Sequence, residues 1–339
     1  MNPRMQSKAA PLSENRIVSL LQKQFRVRDP SLVMGIGDDA AVVRPRGCKE
    51  LWLITTDMLV EEIDFRREWL TPGQLGHKSL AVNLSDIAAM GGRPRYYAVS
   101  LAIPAATTEK WMSDFYRGMK KLGDSHGALL VGGDLSRSAG GITVSITVLG
   151  ESLKRKILYR SGGKPGDRLY VTGCVGKSAA GLKLLERGRK APRAAAQREA
   201  LQAHLKPEPR CAAGLWLAQS GLVTCMMDLS DGVSADLPRL CRASGVGAEI
   251  YTSWLPVFRT ASDWGCNPLE MALHGGEDFE LLFAVAKSKI GEFEKIYPKN
   301  LPPVTKVGIL AESQSVGYAV DTGGTIIPLA NRGFDHFRR

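Results

Sequence analysis

The sequence contains no run of about 18 consecutive apolar residues, which is the length that a membrane-spanning helix requires. Its first twelve residues, MNPRMQSKAAPL, hold no apolar stretch of the kind found in secretory signal peptides. We therefore expect no membrane association, and the default expectation for location is the cytoplasm.

Cysteine is sparse, and none of the six cysteines forms a CxxC pair or lies near a histidine at zinc-site spacing. Scattered cysteines in a chain of 339 residues are typical of reduced, mostly buried side chains. This pattern argues against a disulfide framework and against a structural zinc site.

Acidic residues are the minority charge, with 34 Asp and Glu against 45 Lys and Arg and a net charge of +11. The basic residues are dispersed, apart from a concentration at residues 183–199, and no RNA- or DNA-binding motif is present. We expect no nucleic-acid partner, because a dispersed basic field suits anionic small molecules such as phosphates equally well.

Two common catalytic arrangements are also missing. The segment GCVGKS resembles a Walker A loop, but only two residues separate Gly173 from Gly176, where that motif requires four. No Ser–His–Asp or Cys–His set is recognisable among the five histidines. We therefore expect no P-loop and no side chain that acts as a general base.

Strand-like and helix-like segments alternate in both halves of the chain, which predicts an α/β (α+β) fold with two domains and central sheets. The Gly- and Pro-rich segment RSGGKPGDRL at residues 160–169 favours a boundary just ahead of it, near residue 150. The predicted organisation is a disordered tail at 1–12, a domain at 13–150 and a domain at 151–339.

Three predicted helices bear on the site. Ser13 is expected to cap the first helix, and the pair Thr71-Pro72 is expected to open a long helix that runs through Met90. A third helix, at 107–123, is expected to end at its terminal glycine.

Two predicted strands carry acidic residues. The segment LWLITT at 51–56 is expected to be a strand that ends at Asp57. The segment ALLVGGD at 128–134 is expected to be a short buried strand that leads into a glycine turn.

Six short acidic motifs recur along the chain, most of them at the end of an apolar run and beside Gly, Ser or Thr. They are GIGDDA, TTD, NLSD, VGGD, DLSDG and HGGED. Mg²⁺ prefers oxygen ligands and is usually bound by one or two carboxylates together with substrate phosphates. Adjacent glycines allow backbone N–H groups to approach phosphate oxygens. The set therefore predicts a site for several Mg²⁺ ions and a nucleotide polyphosphate.

Each motif alone is more simply a turn or a helix cap. Turns do not require acids on both sides of a domain boundary, so the motifs taken together favour the metal site. The missing general base fits this interpretation, because an ionised phosphate acceptor has no proton to lose and its phosphorylation needs only positioning and charge neutralisation.

The ordered set GIGDDA, TTD, AVNLSDIAAMG, VGGD, RSGGKPGD, DLSDG, GGEDFE and GFDHF resembles the thiamine-monophosphate kinase family. That family lies in the superfamily of aminoimidazole ribonucleotide synthetase and selenophosphate synthetase, and the match runs from Ser13 to Phe337. The resemblance implies an N-terminal α/β domain that forms a homodimer, a C-terminal α/β domain and a cleft between them with several Mg²⁺ ions. It implies direct in-line transfer from ATP to thiamine monophosphate, giving ADP and thiamine diphosphate.

The resemblance also implies roles for residues that match its motifs. The expected metal ligands are Asp39, Thr55, Thr56, Asp57, Asp86, Asp134, Asp228 and Asp231. The expected nucleotide contacts are Gly133, Asp134, Arg160, Ser230 and, on the adenine side, Tyr116. The expected substrate contacts are Asp64, Glu277 and Phe334. Asp38 is expected to order the loop beside Asp39.

Two positions depart from the family pattern. Asp64 stands where the family has a substrate-contacting histidine, and Leu135 replaces a threonine after the GGD motif. Both changes bear on substrate binding more than on the type of reaction.

Structural alternatives remain for several of these residues. Asp86 could be an ordinary polar residue of a helix, Arg160 could pair with Asp167 at the surface, and Phe334 could belong to the core. For the whole chain, the alternatives are another ATP-dependent synthetase of the same superfamily and a non-catalytic sensor of nucleotide and metal.

Overall fold

The computed structural model describes residues 14–25, 29–189, 191–313, 315–319 and 323–337. The predicted tail at 1–12 and the predicted cap Ser13 lie outside the described residues. Within the described ranges, no helix is both long and apolar enough to cross a bilayer.

The first half of the chain forms a six-stranded sheet with strand order β1-β2-β3-β6-β4-β5. Neighbouring strands are antiparallel except for the parallel pair of β4 and β5. Its elements are α1 (Glu14–Gln24), β1 (Leu32–Met34), β2 (Ala41–Val43), β3 (Trp52–Val60), α2 (Pro72–Ala89), β4 (Arg93–Pro104), α3 (Glu109–His126), β5 (Leu129–Ser138) and β6 (Thr143–Glu151).

The second half forms a seven-stranded mixed sheet with strand order β13-β12-β9-β11-β7-β10-β8. Its elements are β7 (Arg168–Thr172), α4 (Lys177–Glu186), α5 (Ala195–Leu205), α6 (Cys211–Ser220), β8 (Val223–Leu229), α7 (Val233–Ser244), β9 (Gly247–Tyr251), α8 (Pro268–His274), β10 (Glu280–Val285), α9 (Ile290–Ile296), β11 (Val304–Ala311), β12 (Val316–Ala319) and β13 (Ile327–Pro328). The predicted α/β (α+β) class, with a sheet in each half, is confirmed.

Helix α2 begins as the sequence predicts. Thr71 and Gln74 form a reciprocal capping box, in which each side chain accepts the backbone N–H of the other, and Pro72 occupies the first helical position. The helix ends at Ala89, and Gly91 follows in a left-handed conformation with φ of 67°. The prediction of a helix opened by Thr71-Pro72 is confirmed.

Most of α2 is buried, including its polar residues Lys78, Ser79 and Asn83. It packs against α3 and α6 and also contacts β3, β6 and β8, so it touches both sheets. Glycines allow the helix backbones to approach: a Cβ on Gly118 of α3 would lie 1.9 Å from the Gly73 carbonyl oxygen. Helix α2 is therefore held from several sides, and it fixes the positions of the side chains that it carries.

Two predicted boundaries are wrong by a few residues. Strand β3 continues through Asp57 to Val60, because Asp57 pairs with Ile146 inside the ladder rather than ending the strand. Helix α3 continues past Gly123 to His126 and is ended by Gly127, whose φ of 69° is left-handed. Gly123 is tolerated within the helix because Tyr97 and the Ala128 carbonyl leave no room for a Cβ.

The predicted short buried strand at 128–134 is a longer and exposed strand. Strand β5 has ten residues, lies at the edge of the first sheet and is exposed along nearly its whole length. Asp134 lies within the ladder, opposite Ser100 of β4. The apolar residues that suggested burial include Leu129, Leu130 and Val131, and all three are exposed, as is Leu135 further along the strand.

Gly118→Ala is predicted to destabilise the protein by about 1–3 kcal/mol or more, because the added methyl group would overlap the backbone of α2. Gly291→Ala is the matched control: it makes the same change in α9, where nothing lies within 4 Å, and it should be neutral or stabilise by up to about 1 kcal/mol. Chemical denaturation measures both. Equal stability of the two variants would contradict the close contact between α2 and α3.

Candidate metal and phosphate site

Three carboxylates from three different elements converge. Asp39 lies in the segment before β2, Asp86 lies in the last turns of α2, and Asp228 lies near the end of β8. Oxygen atoms of the three lie within 4.8 Å of one another. The first half of the chain thus supplies Asp39 and, on α2, Asp86, and the second half supplies Asp228.

Hydroxyl groups hold two of these carboxylates in place. Thr55 of β3 donates its hydroxyl proton to Asp86, and Ser85 of α2 donates to Asp228 at 2.5 Å. Asp39 is different, because its Oδ2 is buried and has no hydrogen-bond partner among the described residues. A buried carboxylate oxygen without a donor is costly unless a ligand completes it.

Burial and mutual repulsion raise the pKa values in this cluster. Burial and the charge of Asp39 raise the pKa of Asp228 to about 7. Burial, together with Asp57 and Asp228, raises the pKa of Asp86 well above its ordinary value. The interpretation of Asp86 as an ordinary helix residue does not fit these surroundings, since a cation at this point would relieve the repulsion.

The donor set fits a hard divalent cation. Among the described residues, the group that could hold a metal consists of the three carboxylates Asp39, Asp86 and Asp228. Carboxylate and hydroxyl oxygens are the ligands that Mg²⁺ prefers, and the unpartnered Asp39 oxygen supplies a free ligand atom. The arrangement can therefore bind Mg²⁺ and, through it, phosphate groups.

The carboxylates line a cavity of about 410 Å³. All the residues expected as metal ligands line it except Asp134, and Arg160 and Ser230 line it as well. Asp57 is oriented by Asn83 of α2, whose side-chain oxygen accepts the Asp57 backbone N–H at 3.0 Å. The structure thus brings together the acids of four motifs, GIGDDA, TTD, NLSD and DLSDG.

The paired acids of GIGDDA have separate partners. Asp39 Oδ1 accepts a hydrogen bond from Arg160 Nε at 3.1 Å and also contacts Arg160 Nη2. Asp38 accepts the backbone N–H groups of Asp39, at 3.0 Å, and Arg160, at 3.1 Å. Burial and the Asp39 charge raise the pKa of Asp38 to about 7. Asp38 therefore orders the backbone while Asp39 faces the cluster.

Arg160 is not the surface partner of Asp167. Asp167 is buried and accepts the backbone N–H groups of Lys164 and Lys287 and the hydroxyl of Thr224. That alternative for Arg160 is wrong, because its guanidinium pairs with Asp39.

Asp231 lies at the cavity but is paired with a residue that sequence reasoning missed. Arg239 of α7 forms an ion pair with Asp231 and donates to Asp236 at 2.8 Å. Asp236 also accepts the Asp231 backbone N–H at 3.0 Å. The three-residue separation of Asp236 and Arg239 on one helix could have revealed this partner.

Three expected nucleotide residues lie elsewhere. Gly133, Asp134 and Tyr116 line a separate, open hollow of about 450 Å³ beside β5, together with Leu135. The single chain therefore does not place Asp134 at the three-carboxylate cluster.

The expected substrate residues surround a third group of charges. Glu277 forms an ion pair with Lys78, at 2.7 Å, and its Oε2 lies 3.1 Å from His204 Nδ1. Asp64 accepts the Val60 backbone N–H at 2.8 Å, and burial raises its pKa, to which the nearby Glu277 charge adds. We call Asp64, Lys78, His204 and Glu277 the Glu277 cluster.

The C-terminal segment lies beside the Glu277 cluster. The Phe334 backbone N–H donates to the Asp231 carbonyl at 3.1 Å, and its ring packs edge-to-face on His336, with the ring centres 4.8 Å apart. His336 interacts electrostatically with Asp64. Phe334 is 46% exposed, so the core alternative for it is wrong.

Lys78 and His204 were missed at the sequence level. The available indication for Lys78 was its position among the apolar residues of a predicted helix. A lysine at such a position is seldom fully buried without an oppositely charged partner. His204 lies four and three residues after Ala200 and Leu201, so it shares the buried face of α5, and this helical spacing was the available indication.

Family models match both halves of the chain. The family model described as AIR synthase related protein, N-terminal domain, matches residues 37–152, and the model for the C-terminal domain matches residues 164–321. The first matched range contains Asp39 and Asp86, and the second contains Asp228.

Curated relatives match over nearly the whole chain. The thiamine-monophosphate kinase of Bacillus subtilis is 36% identical over 314 residues, covering 92% of this chain and 96% of the relative. That of Escherichia coli K12 is 36% identical over 327 residues, covering 94% and 97%.

Solved structures show the same likeness in three dimensions. The structure of AaThiL complexed with AMPPCP and TMP superposes with a TM-score of 0.84 at 30% identity, covering 98% of this chain and 100% of that one. Thiamine-monophosphate kinase from Stenotrophomonas maltophilia gives a TM-score of 0.75 at 31% identity, covering 93% and 99%. The chain therefore belongs to the thiamine-monophosphate kinase family of AIR synthase related proteins.

Proposed function

We propose that the protein is an enzyme that transfers the γ-phosphoryl group of ATP directly to thiamine monophosphate, giving thiamine diphosphate and ADP. The observation that carries the proposal is the three-carboxylate cluster in its cavity of about 410 Å³. A likeness over 98% of the chain to a structure complexed with AMPPCP and TMP supports these two substrates.

The metal assignment follows from the donor atoms. Asp39, Asp86 and Asp228 would hold Mg²⁺, with Asp57 and Thr55 beside them, and Mg²⁺ so held supplies charge neutralisation for the transferring phosphoryl group. Because these ligands come from both halves of the chain, binding also fixes the two halves around the cavity. Several Mg²⁺ ions per site remain part of the proposal.

Side chains of the cavity then position the phosphates. Arg160 lines the cavity and keeps Asp39 Oδ2 directed at the cluster by binding Oδ1. Its remaining N–H groups are suited to phosphate oxygens, because guanidinium groups bind such oxygens through paired hydrogen bonds. No general base is assigned, since the acceptor phosphate oxygen is already ionised.

The thiamine end of the substrate is assigned to Asp64, Glu277 and Phe334. The Glu277 carboxylate suits a cationic and amino-bearing ring system, Asp64 takes the place of the family's substrate-contacting histidine, and the half-exposed Phe334 ring offers a stacking surface. In this assignment, aromatic and acidic groups lie at the end of the substrate site that takes the thiamine ring, and metal-binding groups lie at the end that takes the phosphates.

We also propose that two copies pair through β5. This edge strand exposes Leu129, Leu130, Val131 and Leu135, and an uncovered apolar edge strand is a ready pairing surface. The hollow that holds Gly133, Asp134 and Tyr116 lies on the same strand, so a second copy would enclose these expected nucleotide contacts.

The kinase is tested by incubating the protein with ATP, Mg²⁺ and thiamine monophosphate and separating the thiamine species by chromatography. Thiamine diphosphate should appear in step with ADP and only with Mg²⁺.

Asp228→Asn should lower kcat at least about 100-fold, because it removes charge from the cluster. The same variant should be more heat-stable than wild type without Mg²⁺, since it relieves repulsion among buried carboxylates.

Asp263→Asn is the control for the stability result. Asp263 is an exposed carboxylate outside the cluster, so this change should leave the melting temperature unaltered. If the wild-type protein binds ATP but forms no thiamine diphosphate, the proposed kinase activity is contradicted. The remaining alternatives are then an enzyme with another phosphate acceptor and a non-catalytic sensor.

Asp64→His restores the residue that the family pattern has at this position. We predict an unchanged kcat and a KM for thiamine monophosphate lowered about two- to tenfold, the range expected for one added hydrogen bond. Asp263→His, an exposed change of the same kind, should leave both constants unchanged. An unaltered KM in the Asp64 variant would place Asp64 outside the substrate pocket.

Val131→Lys is predicted to convert a dimer into a monomer, because it places a charge in the apolar strand that would be paired. Light scattering after size-exclusion chromatography measures the mass. Ile296→Lys, on an exposed apolar position of α9, is the control and should keep the wild-type mass. A wild-type protein that is already monomeric would contradict pairing through β5.

A further inference from the structure

Lys78 is an unusual residue at the centre of α2. Its side chain is 0% exposed, and its Nζ lies 2.7 Å from Glu277 Oε1. Among the described residues, Nζ has no hydrogen-bond partner of good geometry, and Glu277 is the carboxylate within ion-pair distance of it. Burying an ammonium group is expensive without an opposite charge. The ion pair is therefore the reason a lysine can occupy this position.

Glu277 is held on several sides. Lys78 contacts Oε1, His204 Nδ1 lies 3.1 Å from Oε2, and the Glu277 backbone N–H donates to the Ser230 carbonyl at 2.6 Å. Its φ of 65° lies in the left-handed region, which a residue with a side chain adopts only where the surroundings enforce it. The side chain nevertheless stays 28% exposed. Part of a side chain whose carboxylate is held by Lys78 and His204 thus stays accessible to solvent.

The charges around Glu277 keep it ionised. Burial alone would raise its pKa, but Lys78 and His204 outweigh burial and lower the pKa to about 2. Burial and Lys78 lower the pKa of His204, so the lysine is the permanent positive charge of the Glu277 cluster. The carboxylate of Asp64 also faces Glu277. A negative acceptor is therefore maintained in a partly buried place.

We propose that Lys78 is a positioning residue for substrate recognition: from inside α2 it fixes the Glu277 carboxylate so that this group accepts hydrogen bonds from an amino-bearing ring of the substrate. The inference rests on the proposed function, in which that substrate is thiamine monophosphate. Lys78 acts through Glu277 and does not touch the substrate, because it has no exposed surface.

The same helix links the two ends of the substrate. Lys78 precedes Asp86 of the three-carboxylate cluster on α2 by about two helical turns, or about 12 Å along the axis. Since α2 is buried and rigidly packed, this separation is fixed. The helix therefore sets the distance between the phosphate-binding groups and the group that binds the ring.

Lys78→Met tests the proposal by steady-state kinetics of the full-length protein. The KM for thiamine monophosphate should rise about tenfold or more, as expected for a lost charged hydrogen bond, while kcat and the KM for ATP stay within about twofold. Glu277→Gln should have a similar effect. The double variant should cost no more than the larger single change, because both remove one interaction.

Lys120→Met is the matched control, an exposed lysine of α3 whose loss should change none of these constants. If Lys78→Met does not fold, His204→Gln replaces it in the same cycle, since His204 holds the other oxygen of Glu277. The positioning role would be overturned if the effects of the Lys78 and Glu277 changes were additive. It would also be overturned if kcat fell and the KM values for both substrates changed.

Different results would contradict the proposed function and the positioning role of Lys78. A wild-type protein that forms no thiamine diphosphate contradicts the proposed function, and the inference falls with it. A wild-type protein that is active, combined with a Lys78→Met variant whose KM for thiamine monophosphate is unchanged, contradicts the inference alone.

Discussion

The mutual repulsion of three clustered carboxylates, two of them buried and one half-buried, is the constraint on which the rest of this structure depends. Asp39, Asp86 and Asp228 come from a loop, a helix and a strand, and their oxygens lie within 4.8 Å of one another. Such a cluster is unfavourable without cations. Arg160 offsets part of the charge, yet Asp39 Oδ2 has no donor among the described residues. The fold therefore maintains an incompletely neutralised site, which is the condition that favours binding of Mg²⁺ and phosphates.

Helix α2 makes that arrangement possible. It is buried for most of its length, contacts elements of both sheets and carries Lys78, Asn83 and Asp86. Asp86 joins the carboxylates, Asn83 orients Asp57, and Lys78 balances Glu277. Close glycine contacts with α3 hold the helix in place. The polar residues of one buried helix thus organise both ends of the proposed substrate site.

The sequence was sufficient for the fold class and for most of the acidic cluster, because carboxylates next to small residues in apolar segments form a local pattern. It was insufficient where long-range packing decides. The apolar residues of β5 indicated a buried strand, but β5 lies exposed at the edge of the first sheet. The ion pairs Lys78–Glu277 and Arg239–Asp231 depend on how helices, strands and loops pack together. No neighbouring residue in the sequence indicates that Lys78 pairs with Glu277.

The most direct test of the central claim is anomalous diffraction from crystals grown with Mn²⁺, as a stand-in for Mg²⁺, and a non-hydrolysable ATP analogue. The account predicts an anomalous peak coordinated by Asp39, Asp86 and Asp228, with phosphate oxygens completing the coordination. A fully bound nucleotide with no metal at these three carboxylates would contradict it.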